Sequence, residues 1–198
     1  MIRGLLLCGG KSTRFGSDKL CVSIDGTPLA VRSARNLMEG LGNVLAVIPT
    51  GATALRAILQ GAGCEILESA HTARGLGASL AAGVDASAEA QGWIVALGDM
   101  PFIQAGTIAA VRQRLAEGAP IAAPMLRAGG QRGHPVGFSR ALRTELAALD
   151  GDEGARTVIA AHRAEVVLVE VDDPGIVKDI DTPADLERQA SAGGTSAA

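Results

Sequence analysis

Gly9, Gly10, Lys11, Ser12, Arg14 and Lys19 follow directly on an apolar run, Leu5 to Cys8. A buried strand that breaks into a glycine-rich, cationic loop lets backbone amides and ammonium groups approach phosphates closely. The spacing is neither of the two common phosphate-loop patterns. A Walker A loop would need a glycine where Leu5 stands, and the dinucleotide pattern GxGxxG fails because Gly9 and Gly10 are adjacent. What remains is a loop with Arg14 and Lys19 five positions apart, suited to wrapping a triphosphate from its side; solvated basic residues in an ordinary turn are the alternative.

The acidic partners lie far away in the chain. Asp99 ends the apolar segment Trp93 to Leu97 and sits between Gly98 and Met100–Pro101, a context that keeps it at a strand end, as a turn-capping residue or a metal ligand. Asp181 immediately precedes Thr182–Pro183, which starts a helix with Asp185 in its first turn for the dipole. Two carboxylates from distant strands suit a Mg²⁺ ion, which takes one or two protein carboxylates plus phosphate oxygens; Asp179 is the rival ligand. Gly75, Gly77 and Ser79 open a further helix, where amides and a hydroxyl could meet a nucleobase or phosphate or Ser79 could simply cap the helix. Arg132 and His134 lie in a glycine-rich turn entering a strand, positioned for an anionic second substrate or merely held in the turn.

These residues need a scaffold, and apolar runs alternate with helical patterns along the chain. Strands are predicted at 2–8, 44–49, 65–67, 93–97, 121–125 and 166–171, several nearly continuous in apolar character, as in a sheet covered on both faces. Helices are predicted from Pro28, capped by Thr27, to Leu41, and over 52–59, 79–88, 106–116, 140–149, 155–162 and 183–189. This order implies an α/β fold, a doubly wound, mostly parallel Rossmann-like sheet with its site at the carboxyl ends of the strands. Residues 1–189 are expected to form one domain, and 190–198, all Ala, Gly, Ser and Thr, a disordered tail.

Composition narrows the function. The 198 residues are 47% hydrophobic but only 2% aromatic, which argues against a stacking platform for single-stranded nucleic acid. A net charge of −3 offers no global attraction for nucleic acid or an anionic membrane. Cys8, Cys21 and Cys64 form an odd, widely spaced set that suggests neither a disulfide framework nor a zinc site. No stretch nears the roughly 20 apolar residues needed to span a bilayer, and no leader pattern opens the chain, so a cytoplasmic protein is expected.

Taken together, six segments in order resemble the nucleotidyltransferases of molybdenum cofactor maturation, the molybdopterin cytidylyltransferase and guanylyltransferase group. They are Leu7 to Lys19, Gly75 to Leu80, Gly98–Pro101, Arg132–Val136, Gly151–Arg156 and Asp179–Pro183. The later ones look most like the cytidylyltransferase branch, whereas Cys8–Gly9–Gly10 stands closer to the Ala-Gly-Gly of the guanylyltransferases. The resemblance implies transfer of a nucleoside monophosphate from CTP or GTP to the terminal phosphate of a pterin-type acceptor, with release of pyrophosphate. It implies that Leu7, Gly9, Ser79 and nearby backbone hold base and ribose, with Cys8, Gly10, Gly75 and Asp99 also at the nucleotide, that Arg14 and Lys19 grip the triphosphate and are catalytic together with Asp99, and that Asp99 and Asp181 bind Mg²⁺. Arg132 and His134 would face the acceptor, and a molybdoenzyme or its chaperone would be a transient partner. A transferase acting on a sugar phosphate, and a nucleotide-binding module without turnover, are the alternatives.

Overall fold

The computed structural model describes residues 1–9, 19–182 and 185. Nine strands and six helices are set out among them. The strands are β1 (Ile2–Leu7), β2 (Ser23–Ile24), β3 (Thr27–Pro28), β4 (Val44–Pro49), β5 (Glu65–Ser69), β6 (Gly92–Leu97), β7 (Ile121–Leu126), β8 (Val136–Ser139) and β9 (Val166–Val171). The helices are α1 (Leu29–Leu41), α2 (Thr53–Gly61), α3 (Leu76–Ala86), α4 (Ala105–Ala116), α5 (Arg143–Ala147) and α6 (Arg156–Ala161).

Seven strands make one sheet in the order β5-β4-β1-β6-β8-β7-β9, and β2 pairs with β3 as a small hairpin. The expected doubly wound, mostly parallel architecture is what the chain adopts, with one exception: β8 runs antiparallel between β6 and β7. Strands β4 and β6, and β1 apart from Arg3, are apolar because both sheet faces are covered. Leu6, Ala46, Ile48 and Ile94 pack with Leu37, Leu55 and Ile108 on the side of α1, α2 and α4. Leu5, Leu7, Val47 and Val95 pack with Leu80, Leu146 and Val158 on the side of α3, α5 and α6. Consecutive residues of one strand thus feed opposite cores. No helix of the described residues is long and apolar enough to cross a membrane.

Local starts and stops differ from the sequence expectation in informative ways. Thr27 does not cap α1; it belongs to β3, no side chain caps the helix at Pro28, and the Leu29 amide is satisfied by the Val22 carbonyl at 2.9 Å. The helix ends as expected of glycine, with Gly42 at φ 85° and its amide bonded to the Met38 carbonyl. The segment 140–149 is a 3-10 turn, Arg140–Leu142, followed by the short α5. Helix α3 begins at Leu76, three residues before the expected start. Of the predicted helix 183–189 only Asp185 is described, and the predicted tail 190–198 lies outside the described residues.

Candidate active site

The edge formed by the carboxyl ends of β1 and β6 is built around close backbone contacts. Beyond β1 the Cys8 amide bonds to Val47 O at 2.9 Å, and beyond β6 the Gly98 amide bonds to Leu7 O at 3.0 Å, so the two exits stay side by side. A Cβ at Gly98 would stand 2.9 Å from Cys8 Sγ, and one at Gly9 would stand 2.7 Å from Ser79 Oγ and 2.9 Å from Thr72 Cβ. Both glycines are therefore required by space rather than by backbone angle. Gly10 and Arg14, the other members of the expected loop, lie outside the described residues.

Lys19 resumes the chain in a 3-10 turn, Lys19–Cys21, and is 8% exposed. Its Nζ donates to Asp99 Oδ2 and to Asp181 Oδ1, each at 2.9 Å. Residues 80 and 162 positions apart thus meet at one ammonium group. Burial works against the charge, but the two carboxylates prevail and lift the Lys19 pKa above its ordinary value of 10.5, so the side chain is a fixed cation at neutral pH.

Asp99 is held by its neighbours in the turn. Ser33 Oγ donates to the Gly98 carbonyl and Asn36 Nδ2 to the Pro101 carbonyl, both at 3.0 Å, so one turn of α1 grips the segment from both ends. Sequence reasoning missed this pair. The available signal was a serine and an asparagine three apart on a helix whose neighbouring stripe is apolar; Ser33 is buried although polar.

The second carboxylate is placed by alternation. The Ile180 side chain is 1% exposed and packs with Ile24 and Leu29, and its amide donates to the Asp99 carbonyl at 3.0 Å. Asp179 and Asp181 flank this anchor. Asp185 closes the segment: its Oδ2 accepts from the Thr182 amide at 2.7 Å and from the Asp181 amide at 3.1 Å, while its own amide bonds back to Thr182 Oγ1 at 3.3 Å. This reciprocal cap agrees with the structural role expected for Asp185. Asp179 sits close enough to share the cluster; burial raises its pKa, and the Asp181 and Asp99 carboxylates push the same way.

The Gly75 turn forms the next wall. Gly75 has φ 122°, and a Cβ there would collide with Asp152 Oδ1 and the Gly151 main chain. The Gly77 amide donates to Gly151 O at 2.8 Å, and Arg74 pairs with Asp150 through Nε at 2.9 Å and the second guanidinium nitrogen at 2.7 Å. Two motifs that are 70-odd residues apart are thereby one structure. Ser79, expected at the helix start, is in its first full turn, completely buried, and donates to the Gly75 carbonyl at 2.9 Å. Its hydroxyl supports the glycine turn from within.

A cavity of about 490 Å³ opens between this wall and the sheet, lined on its apolar side by residues such as Leu7, Leu97, Leu80 and Phe138. Arg132, His134 and Arg156 line it as well. Gly133 must be glycine, because a Cβ there would meet the Ile176 carbonyl, and the His134 amide donates to that same carbonyl at 2.8 Å. Burial holds the His134 imidazole below its usual pKa, against a hydrogen bond to the Val95 backbone and the Asp99 carboxylate, and Arg156 adds to the lowering. His134 is therefore neutral at pH 7, and its buried Nδ1 has no hydrogen-bond partner among the described residues. Leu97, which lines the cavity, ends β6 two residues before Asp99, so the cavity and the carboxylate cluster lie at the same strand exit.

In sum, a fixed cation, two carboxylates that bond it, a glycine turn and a cavity with a neutral histidine meet at one sheet edge. Among the described residues no group of three or more His, Cys, Asp and Glu side chains is placed to hold a metal ion. Known proteins are similar to this chain over nearly its whole length. The purine catabolism protein PucB of Bacillus subtilis is 27% identical over 195 residues, 93% of each chain. The crystal structure of Rv0371c from Mycobacterium tuberculosis is 27% identical, with a TM-score of 0.82 over 96% of this chain and 97% of that one. The structure of Rv0371c in complex with manganese is 26% identical, with a TM-score of 0.76 over 96% and 98% of the two chains. The MobA-like NTP transferase domain matches residues 4–166, from the middle of β1 to the start of β9, and the chain is a nucleotidyltransferase belonging to that family.

Proposed function

We propose that this nucleotidyltransferase moves a nucleoside monophosphate from CTP or GTP to the terminal phosphate of a molybdopterin-type acceptor and releases pyrophosphate. The observation that carries the reading is Lys19 drawn between Asp99 and Asp181 at the exit of β1 and β6. A phosphate nucleophile is already ionised at neutral pH, so the protein's task is to position it and neutralise charge. Lys19, with Arg14, grips the triphosphate; Leu7, Cys8, Gly9, Gly10, Gly75 and Ser79 surround base and ribose, partly through the backbone.

Asp99 and Asp181 suit a hard divalent cation such as Mg²⁺, because both present carboxylate oxygens to one positive charge while both side chains stay partly exposed. When bound, the cation neutralises developing charge on the phosphoryl oxygens. Arg132 and His134 face the acceptor. The same reading includes transient contact with a molybdoenzyme or its chaperone as recipient of the product.

The test is incubation of the purified chain with each NTP, Mg²⁺ and either a molybdopterin or a sugar-phosphate acceptor, with pyrophosphate and product mass as readouts. Pyrophosphate should appear only with NTP and the pterin acceptor together. Lys19→Ala and Asp99→Asn should each lower turnover by about 10²-fold or more, as the loss of a fixed charge stabilising the transition state does. Acceptor-independent release, or near-normal turnover in either variant, overturns the assignment.

A further inference from the structure

The two carboxylates suited to a divalent cation already have a cation. The Lys19 ammonium bonds both of them at 2.9 Å, its side chain is only 10% exposed, and its main chain is fixed in the 3-10 turn that bonds Val22 N to Lys19 O at 3.1 Å. The stem of this lysine is therefore immobilised in the protein, and only its end has somewhere to go. A divalent ion entering the same pair would face a positive charge within a few ångströms. It needs the ammonium to turn away, and the ammonium needs another anion to turn to.

We propose that Lys19 is a place-holding cation that makes metal binding conditional on nucleotide. Without nucleotide it keeps Asp99 and Asp181 together and shields them from free metal. When a triphosphate arrives, its oxygens take the Lys19 ammonium, and the vacated carboxylate pair accepts the metal. This inference rests on the proposed assignment of Asp99 and Asp181 as the metal-holding pair. Since coupling between two binding events is reciprocal, nucleotide and metal each raise the other's affinity by one common factor.

The probe is Mn²⁺ alone, titrated into the nucleotide-free full chain and followed by the electron paramagnetic resonance signal of the free ion. Wild type should bind Mn²⁺ weakly, and Lys19→Met should bind it about tenfold more tightly or better, within the range of typical site couplings. Lys19→Arg, which keeps the positive charge, should stay near the wild-type affinity. Thermal melting gives a second reading that also guards against misfolding: Mn²⁺ should raise the Tm of Lys19→Met more than that of wild type. Equal Mn²⁺ affinity in wild type and Lys19→Met overturns the inference. If, in addition, Mn²⁺ fails to join wild type even with a CTP or GTP analogue bridged by methylene between its α and β phosphorus atoms, the metal-holding role of Asp99 and Asp181 falls too. Metal recruited by the analogue in wild type, without any gain in Lys19→Met, overturns only the place-holding role.

Discussion

The Ile180 amide donates to the Asp99 carbonyl at 3.0 Å, so the backbone of one proposed metal-binding residue sets the backbone of the segment that carries the other. The hydrogen bond fixes the distance between the two chains, and the buried Ile180 side chain fixes the rotation that leaves Asp179 and Asp181 on either side of it.

Ile180→Ala should therefore damage the site without altering any of its charges. Loss of a fully buried isoleucine side chain costs about 2–5 kcal/mol where the surroundings cannot collapse. Among the described residues the cluster around it holds Ile24, Leu29 and partly buried Phe102, so the lower part of that range is expected. Urea denaturation gives the stability change. Turnover at saturating substrate should fall more than that of Ile180→Val, which keeps the anchor; equal turnover in both variants would show that Asp181 is positioned by other contacts.

His162 supplies the pH dependence. Its Nδ1 lies 2.8 Å from Glu165 Oε1 and its Nε2 3.0 Å from Glu145, joining the end of α6 to α5. Hydrogen bonds to Glu165 and then Glu145 raise its pKa above 6.5 in the folded state. The protonated ring is favoured by folding, so its contribution is complete below pH 6.5 and disappears as pH climbs through the raised folded value. The Tm difference between wild type and His162→Gln should shrink across that window as pH increases. A difference that stays constant from about pH 6 to about pH 9 would show that the ring does not titrate against these carboxylates.

Much of the site was legible because its parts are local. A strand running into Gly98–Asp99–Met100–Pro101 places a carboxylate at a sheet edge by itself, and the Thr182–Asp185 cap is written in four residues. What was not legible depends on partners remote in the chain. The antiparallel insertion of β8 hangs on its pairing with β6 and β7, which the apolar run Val136 to Phe138 does not specify. The early start of α3 follows from the 150–154 loop packed against Gly75, and the inward turn of Ser79 from the space that Gly9 leaves it. Ser33 and Asn36 read as ordinary helix residues until the Gly98–Pro101 turn lies across them.

Cys64 should be chemically quiet in the native protein. Burial pushes its thiol pKa up to about 11, so very little thiolate exists at pH 8. Alkylation followed by mass spectrometry should find the peptide carrying Cys64 unmodified under native conditions and fully modified in denaturant. Rapid native labelling at pH 8 would mean that the end of α2 opens far more often than its packing implies.

Gly75 joins backbone geometry to the architecture of the site. Its φ of 122° is a conformation that L side chains rarely adopt, and a methyl group would meet both the Asp152 carboxylate and the Gly151 main chain. Gly75→Ala should therefore cost about 2 kcal/mol or more, from the strained angle and the displaced loop together. Adding Asp152→Ala removes one obstruction but leaves the Gly151 backbone, so the double variant should recover only part of the loss in urea denaturation. Full recovery would make the Asp152 carboxylate alone the obstacle. Because Arg74 pairs with Asp150 across the same junction, Arg74→Ala should loosen the loop in hydrogen exchange at 150–154 with little change in overall stability, as is usual for an exposed ion pair.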